Sequence, residues 1–285
     1  MTTTRQLDLV VTERHDSAGS MVWWNLSGSV LHADIVVRLK AAGVPDKRLP
    51  YPVGPTTALT RAMRRFEDRR HFIRPRPDSK RGWTLVREHV EGGEHLSWES
   101  VGSVRLGEGG SLDIDGAEHI REELVKAFHE EQASFSTEEV SMWLSRSLIP
   151  ILSAVSLRPC GGFYFIPYQS VEQFRREVAC LPGEFCEVPA MRTKETVKAV
   201  LDSLAREAAA GIDAIFTELS EGGLGSRALN TRKAECERMA MKLSEYEGML
   251  GASLPIIASR LEQLQAAVTQ AVLAEAANAD IAAAA

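Results

Sequence analysis

The sequence predicts an α+β protein. A mixed N-terminal region, with an element that could be winged-helix-like, leads into a long α-helical C-terminal region built as a hairpin or a coiled coil. Three observations carry that class. Short β-branched and aromatic runs, punctuated by turn residues, fill the first 110 positions and return as FYFIP at 163–167. Amphipathic helical stretches lie between them. From residue 193 to about 280, apolar residues recur by threes and fours almost without a break. The expected organisation is a mixed α/β region with a basic helix and hairpin (1–110), a second α+β segment (111–192) and a helical assembly region (193–285).

Taken in order, LDLVVTE (7–13) and MVWWNLSGSV (21–30) read as strands, with 15–19 as the turn between them. A helix is expected over 34–42, stopped by Gly43. Four prolines make 44–55 an extended connector. A helix over 56–70 places Leu59, Ala62, Met63 and Phe66 on one stripe. Strands at 71–76 and 82–90 flank Pro, Asp and Gly residues, which is hairpin chemistry. Two further strands are expected at 95–99 and 101–106, with a hairpin loop at 107–111. Helices follow at 116–132 and from a Ser136 or Thr137 cap to about 154. FYFIP reads as a buried strand, 170–180 as a short helix, and 185–189 as a strand pairing with FYFIP. Three long helices complete the chain, separated at Gly222-Gly223-Leu224-Gly225 and at Gly251 to Pro255. Packing stabilises helices of this length, either within the chain or against another subunit.

The formal charge is −6 and 44% of residues are hydrophobic, so a sizeable core is expected without a uniformly basic coat. The four cysteines, at 160, 180, 186 and 236, have no CxxC spacing. They read as reduced thiols. The N-terminus lacks a basic stretch followed by an apolar one, and no window reaches the roughly 18 apolar residues of a membrane span. A cytoplasmic protein without a membrane partner is the expectation.

Charge is nevertheless segregated. Residues 55–90 hold ten basic side chains against four acidic ones. Arg61, Arg64, Arg65, Arg69 and Arg70 belong to the expected helix, and Arg74, Arg76, Lys80 and Arg81 to the expected hairpin. A helix followed by a basic hairpin is the layout of a winged helix, in which a helix enters a groove and the wing touches phosphates. Arginine suits that task because its planar fork stays charged and pairs two phosphate oxygens. These nine residues are the candidate nucleic-acid contacts, for DNA or RNA. A solvated helix face, or a contact with an acidic protein, accounts for the same letters.

Other features point less far. Arg158-Pro159-Cys160-Gly161-Gly162 before FYFIP reads as a turn feeding the core; a ligand loop with an Arg158 anion contact or a Cys160 nucleophile is the alternative. The glycines at 222–225 lack the lysine and spacing of a phosphate-binding loop. Acids at 118–139 with His119 and His129 read as a charged surface rather than a metal site. The five tryptophans read as core anchors, with Trp24 or Trp83 able to stack on a base if exposed. No catalytic residues, cofactor or metal are expected.

WWNLSGSV, the proline connector, the basic helix and LRPCGGFYFIP together resemble uncharacterised proteins of bacteriophages and other mobile elements, over the N-terminal two thirds. The resemblance implies action on nucleic acid or host machinery and brings no site residues. The function expected is therefore a non-enzymatic, oligomeric nucleic-acid-binding protein that self-associates through 193–285. The alternative is an interaction or assembly protein, such as a scaffold or a host-directed inhibitor.

Overall fold

The computed structural model describes residues 17–76, 82–91, 95–116, 118–159 and 161–284. The strand expected at 7–13, Lys80, Arg81 and Cys160 lie outside them. The chain is a mixed α/β region followed by a run of long helices, and it groups into two compact units. One unit contains residues up to 25, 145–175 and 184–285; the other contains 26–144 and 176–183. The chain therefore enters and leaves each unit more than once.

In the first unit, strands β1 (Ser17–Asn25), β8 (Val155–Ser156), β9 (Tyr164–Pro167) and β10 (Glu184–Met191) form an antiparallel sheet in the order β10-β1-β9-β8. Residues 17–19 are strand rather than turn, with Ser17 opposite Met191. The strand expected at 185–189 exists, but β1 lies between it and FYFIP. One face of this sheet meets α7 (Lys194–Glu221), α8 (Ser226–Leu250) and α9 (Pro255–Ala284). Phe165, Val155 and Ala190 join Leu204, Ile212, Tyr246, Leu261 and Leu264 in one core. On the opposite face, Val171 and Phe174 of α6 (Tyr168–Val178) are buried, and Phe174 meets Phe185 edge-on. Arg175 of α6 donates to Glu187, which also accepts from Ser20. With both faces covered, all four β9 residues are buried.

The apolar stripes of α7, α8 and α9 face one another and the sheet. They are satisfied within the chain, so burial of these stripes does not require a second subunit. The 222–225 glycines link α7 to α8, with Gly222 and Gly223 at positive φ where a side chain would be strained. Tyr246 donates to the Ser153 carbonyl at 2.7 Å, and Lys242 donates to the Ala154 carbonyl at 2.7 Å. Those two bonds fasten α8 to the turn before β8. Burial pushes the Tyr246 phenol well above its ordinary pKa, so it remains a donor.

In the second unit, β2 (Val30–Leu31) leads into α1 (His32–Ala41), and a prolyl connector containing one 3-10 turn (Asp46–Arg48) reaches α2 (Pro55–Arg64). Strands β3 (His71–Pro75), β4 (Gly82–Glu91), β5 (His95–Leu106) and β6 (Leu112–Asp115) form an antiparallel meander. Helix α3 (Arg121–Ala133) follows, then β7 (Ser134–Phe135), which pairs with β2, and α4 (Thr137–Trp143). Ser136 and Glu139 form the capping box of α4. A π-helical turn (Leu144–Leu148) and the short α5 (Ile149–Ile151) stand where the sequence predicts one continuous helix. Pro150 removes a helical donor there.

Helices α2 and α3 cover one face of the meander. Leu59, Ala62, Met63, Leu124 and Phe128 pack with Ile73, Leu85, Val104 and Ile114. Arg48 and Glu177 form a buried ion pair that joins the returning 176–183 segment to this unit. Trp143 donates to the Arg48 carbonyl.

The structure departs from the predicted elements at two places beside the basic segment. Helix α2 ends at Arg64, short of residue 70, so Arg69 and Arg70 leave the helix. Beyond it Asp68 holds a turn, its carboxylate accepting from the backbone N–H groups of Arg70 and His71 at 2.7 and 2.8 Å. Short acceptors of this kind compete with the helix and start a turn. Secondly, 95–106 is one strand containing a bulge, not two strands. Val86 faces Ser100 and Leu85 faces Gly102, leaving Val101 unpaired. The extra residue inverts the alternation along β5.

Candidate functional site

The outer face of the meander follows from the period-two geometry of strands. Ile73 and Leu85 point into the core, so Phe72 and Arg74 of β3 and Thr84 and Val86 of β4 point the other way. Arg70 continues the β3 alternation, its carbonyl accepting from the Glu88 N–H at 2.7 Å. Arg76 follows β3, and its guanidinium donates to Ser103 at 2.8 Å. Thus Arg70, Phe72, Arg74 and Arg76 occupy every second position along one edge of the sheet. In a regular β5, Trp98 would share the core face with Val104. The Val101 bulge turns it outward, opposite Glu88.

There Trp98 is 50% exposed and meets the Phe72 ring edge-on at 5.7 Å. The Arg74 guanidinium lies 6.0 Å from the Phe72 centroid and 5.8 Å from that of Trp98, within cation–π range. Acids gather at the far side of the face, where β6 brings Asp113 to 3.7 Å from Arg105. The row of Arg70, Phe72 and Arg74 therefore lies at the β3 edge and Asp113 and Asp115 at the β6 edge, with Glu88 of β4 on the same face opposite Trp98.

The nine candidate basic residues divide into groups. Arg61 pairs with Glu139 at 2.5 Å and Glu138 at 3.3 Å. Its side chain is only 20% exposed. The Glu139 hydrogen bond raises its pKa. Burial works to raise the Glu139 carboxyl, but hydrogen bonds from Arg61 and Ser136 outweigh it and hold the carboxyl below its ordinary value. Arg65 pairs with Glu130 at 2.7 Å and Glu131 at 2.5 Å. These two guanidiniums tie α2 to α3 and α4 and are not a free phosphate-binding face.

Arg64, Arg69, Arg70 and Arg74 are exposed and have no carboxylate partner among the described residues. Arg76 is half-buried on Ser103. Lys80 and Arg81 lie outside the described residues. Trp98 and Trp23, expected as core anchors, are exposed instead, and Phe72 is not among the residues the sequence nominates. The alternation RHFIRPR at 70–76 could have found Phe72; no local signal marks the bulge that exposes Trp98. The two rings nominated for stacking are engaged elsewhere. Trp24 stacks on Tyr164 at 5.2 Å, and Trp83 packs against the meander core.

Between β8 and β9, Gly161 and Gly162 have positive φ, and the Arg158 Nε donates to the Gly161 carbonyl at 2.7 Å. Beside this loop lies an open, mainly apolar cleft of about 560 Å³, lined by Met21, Trp23, Arg158, Gly162, Phe163 and Val188. Among the described residues, no group of three or more His, Cys, Asp or Glu side chains could hold a metal ion. Of the acids of 118–139, Glu118 answers Arg121, Glu130 and Glu131 answer Arg65, and Glu138 and Glu139 answer Arg61. No helix among the described residues is long and apolar enough to cross a membrane.

No curated protein and no solved structure matches the chain. A family model covers residues 18–279, nearly the whole length, and by that match the chain belongs to the family of unknown function DUF6744.

Proposed function

We propose that this protein binds nucleic acid through the β3 edge and outer face of the meander, without catalysing a reaction. The observation that carries the reading is the placement of Arg70 and Arg74 on one exposed strand face, without carboxylate partners among the described residues. Arg64 and Arg69, from the end of α2 and the loop after it, add charge from the same stretch of chain. Guanidiniums of this kind release counterions when they meet phosphates, so affinity should fall steeply with salt. The groove-entering helix of a winged helix is not part of the proposal, because Arg61 and Arg65 are already neutralised.

The test compares two double variants in mobility shifts at low salt. Arg70→Ala with Arg74→Ala should lose retention while keeping the wild-type melting curve. It should also flatten the plot of log affinity against log salt by about 0.7 per lost contact. Arg61→Ala with Arg65→Ala should lower the melting temperature. Unchanged retention in the folded Arg70/Arg74 variant, or no retention by the wild type, would overturn the proposal.

A further inference from the structure

We infer that the ligand is single-stranded nucleic acid, with an unpaired base stacked on Trp98 beside Phe72 and Arg74. This inference rests on the nucleic-acid reading above and deepens it. Three features of the same face carry it. A large apolar ring is turned outward by a bulge, against the alternation of its own strand. It is not a stray exposed residue, because Phe72 supports it edge-on and Arg74 lies within cation–π distance of both rings. Aromatic and guanidinium groups held together in this way offer a platform for the π-face of a base.

The third feature is direction. Arg70 and Arg74 follow the strand axis, four residues or roughly 13 Å apart, so a polyanionic backbone can run along β3 while its bases turn inward over the sheet. A duplex does not fit this arrangement. Its bases are stacked on one another and show a protein only their edges. The carboxylates Asp113 and Asp115 on β6 disfavour a second phosphate backbone across the same face. Sequence tolerance is expected, because every base has a π-face.

The experiment titrates the full-length protein with oligo(dT), oligo(U) and a mixed-sequence duplex of equal length, following tryptophan fluorescence and anisotropy at low salt. At least one single strand should bind about tenfold or more tightly than the duplex and quench tryptophan emission. The two single-stranded arms identify DNA or RNA as the preferred source. Trp98→Ala should weaken single-strand binding by about tenfold or more. Trp98→Phe should keep the affinity within about threefold and remove most of the quenching. Equal affinity for duplex and single strands, or no loss in a folded Trp98→Ala variant, would overturn the stacking inference and leave the nucleic-acid reading standing. Failure to bind any of the three would overturn both.

Discussion

Among the described residues, two antiparallel sheets of four strands each are covered differently. The β10-β1-β9-β8 sheet is packed by α7–α9 on one face and by α6 on the other. Its strand β9 accordingly has no exposed residue and reads as an uninterrupted apolar run. Among the described residues, the meander is packed by α2 and α3 on one face. Its edge strand therefore alternates, with Ile73 inward and Phe72 and Arg74 outward. The difference gives Phe165 and Trp98 opposite roles. Phe165 holds a core together, whereas Trp98 is a surface that the local core does not need.

The largest effect that separates the sheets should come from truncating those two rings. Phe165→Ala removes a side chain with no exposed surface and should cost about 3–5 kcal/mol in chemical denaturation. Trp98→Ala should stay within about 1 kcal/mol, because surface changes away from a core feature are small. Comparable losses for the two would mean that the face bearing Trp98 is not open.

A smaller effect should distinguish the structural arginines of α2 from the free ones of β3. Glu139→Gln removes one of the two carboxylates that pair with Arg61 and keeps a residue able to close the α4 capping box, a loss of about 1–2 kcal/mol. The pH dependence follows from the sign of the Glu139 shift. Its folded pKa lies below its ordinary value of 4.5, so the stabilisation is complete above that pH and is lost as pH falls through the folded value. Denaturant midpoints measured from pH 6 downward should decline less in Glu139→Gln than in wild type. Parallel declines would show that the pair contributes nothing. Arg74→Ala, by contrast, should leave the midpoint unchanged.

The smallest effect concerns the turn that delivers the chain from α2 to β3. The Arg70 backbone N–H, then the His71 side chain and backbone, hold the exposed Asp68 carboxyl at about 2. A carboxyl-carbon NMR titration should find its midpoint there rather than near 3.8, and Asp68→Ala should increase hydrogen exchange at Arg70 and His71. An ordinary midpoint would mean that the turn is not held by this side chain.

Much of this was legible in the sequence. The hydrophobic stripe of α2, the hairpin at 71–91, the buried FYFIP strand and the three long helices all follow from local periodicity, which the chain displays at two or 3.6 residues per repeat. The candidate site was legible in part. Arg70, Arg74 and Arg76 were singled out as basic residues, but as a helix face and a hairpin tip rather than as one row along a strand edge.

Local pattern determined which way most side chains point, and therefore which class of fold the chain adopts. Tertiary structure decided which charges are neutralised and which ring is exposed. Arg61 and Arg65 meet carboxylates 65 to 78 positions away, a pairing that only the packing of α2 on α3 and α4 creates. Trp98 faces outward because one unpaired residue, Val101, shifts the register of β5 against β4. Periodicity is a property of neighbours along the chain, whereas charge pairing and register are properties of neighbours in space.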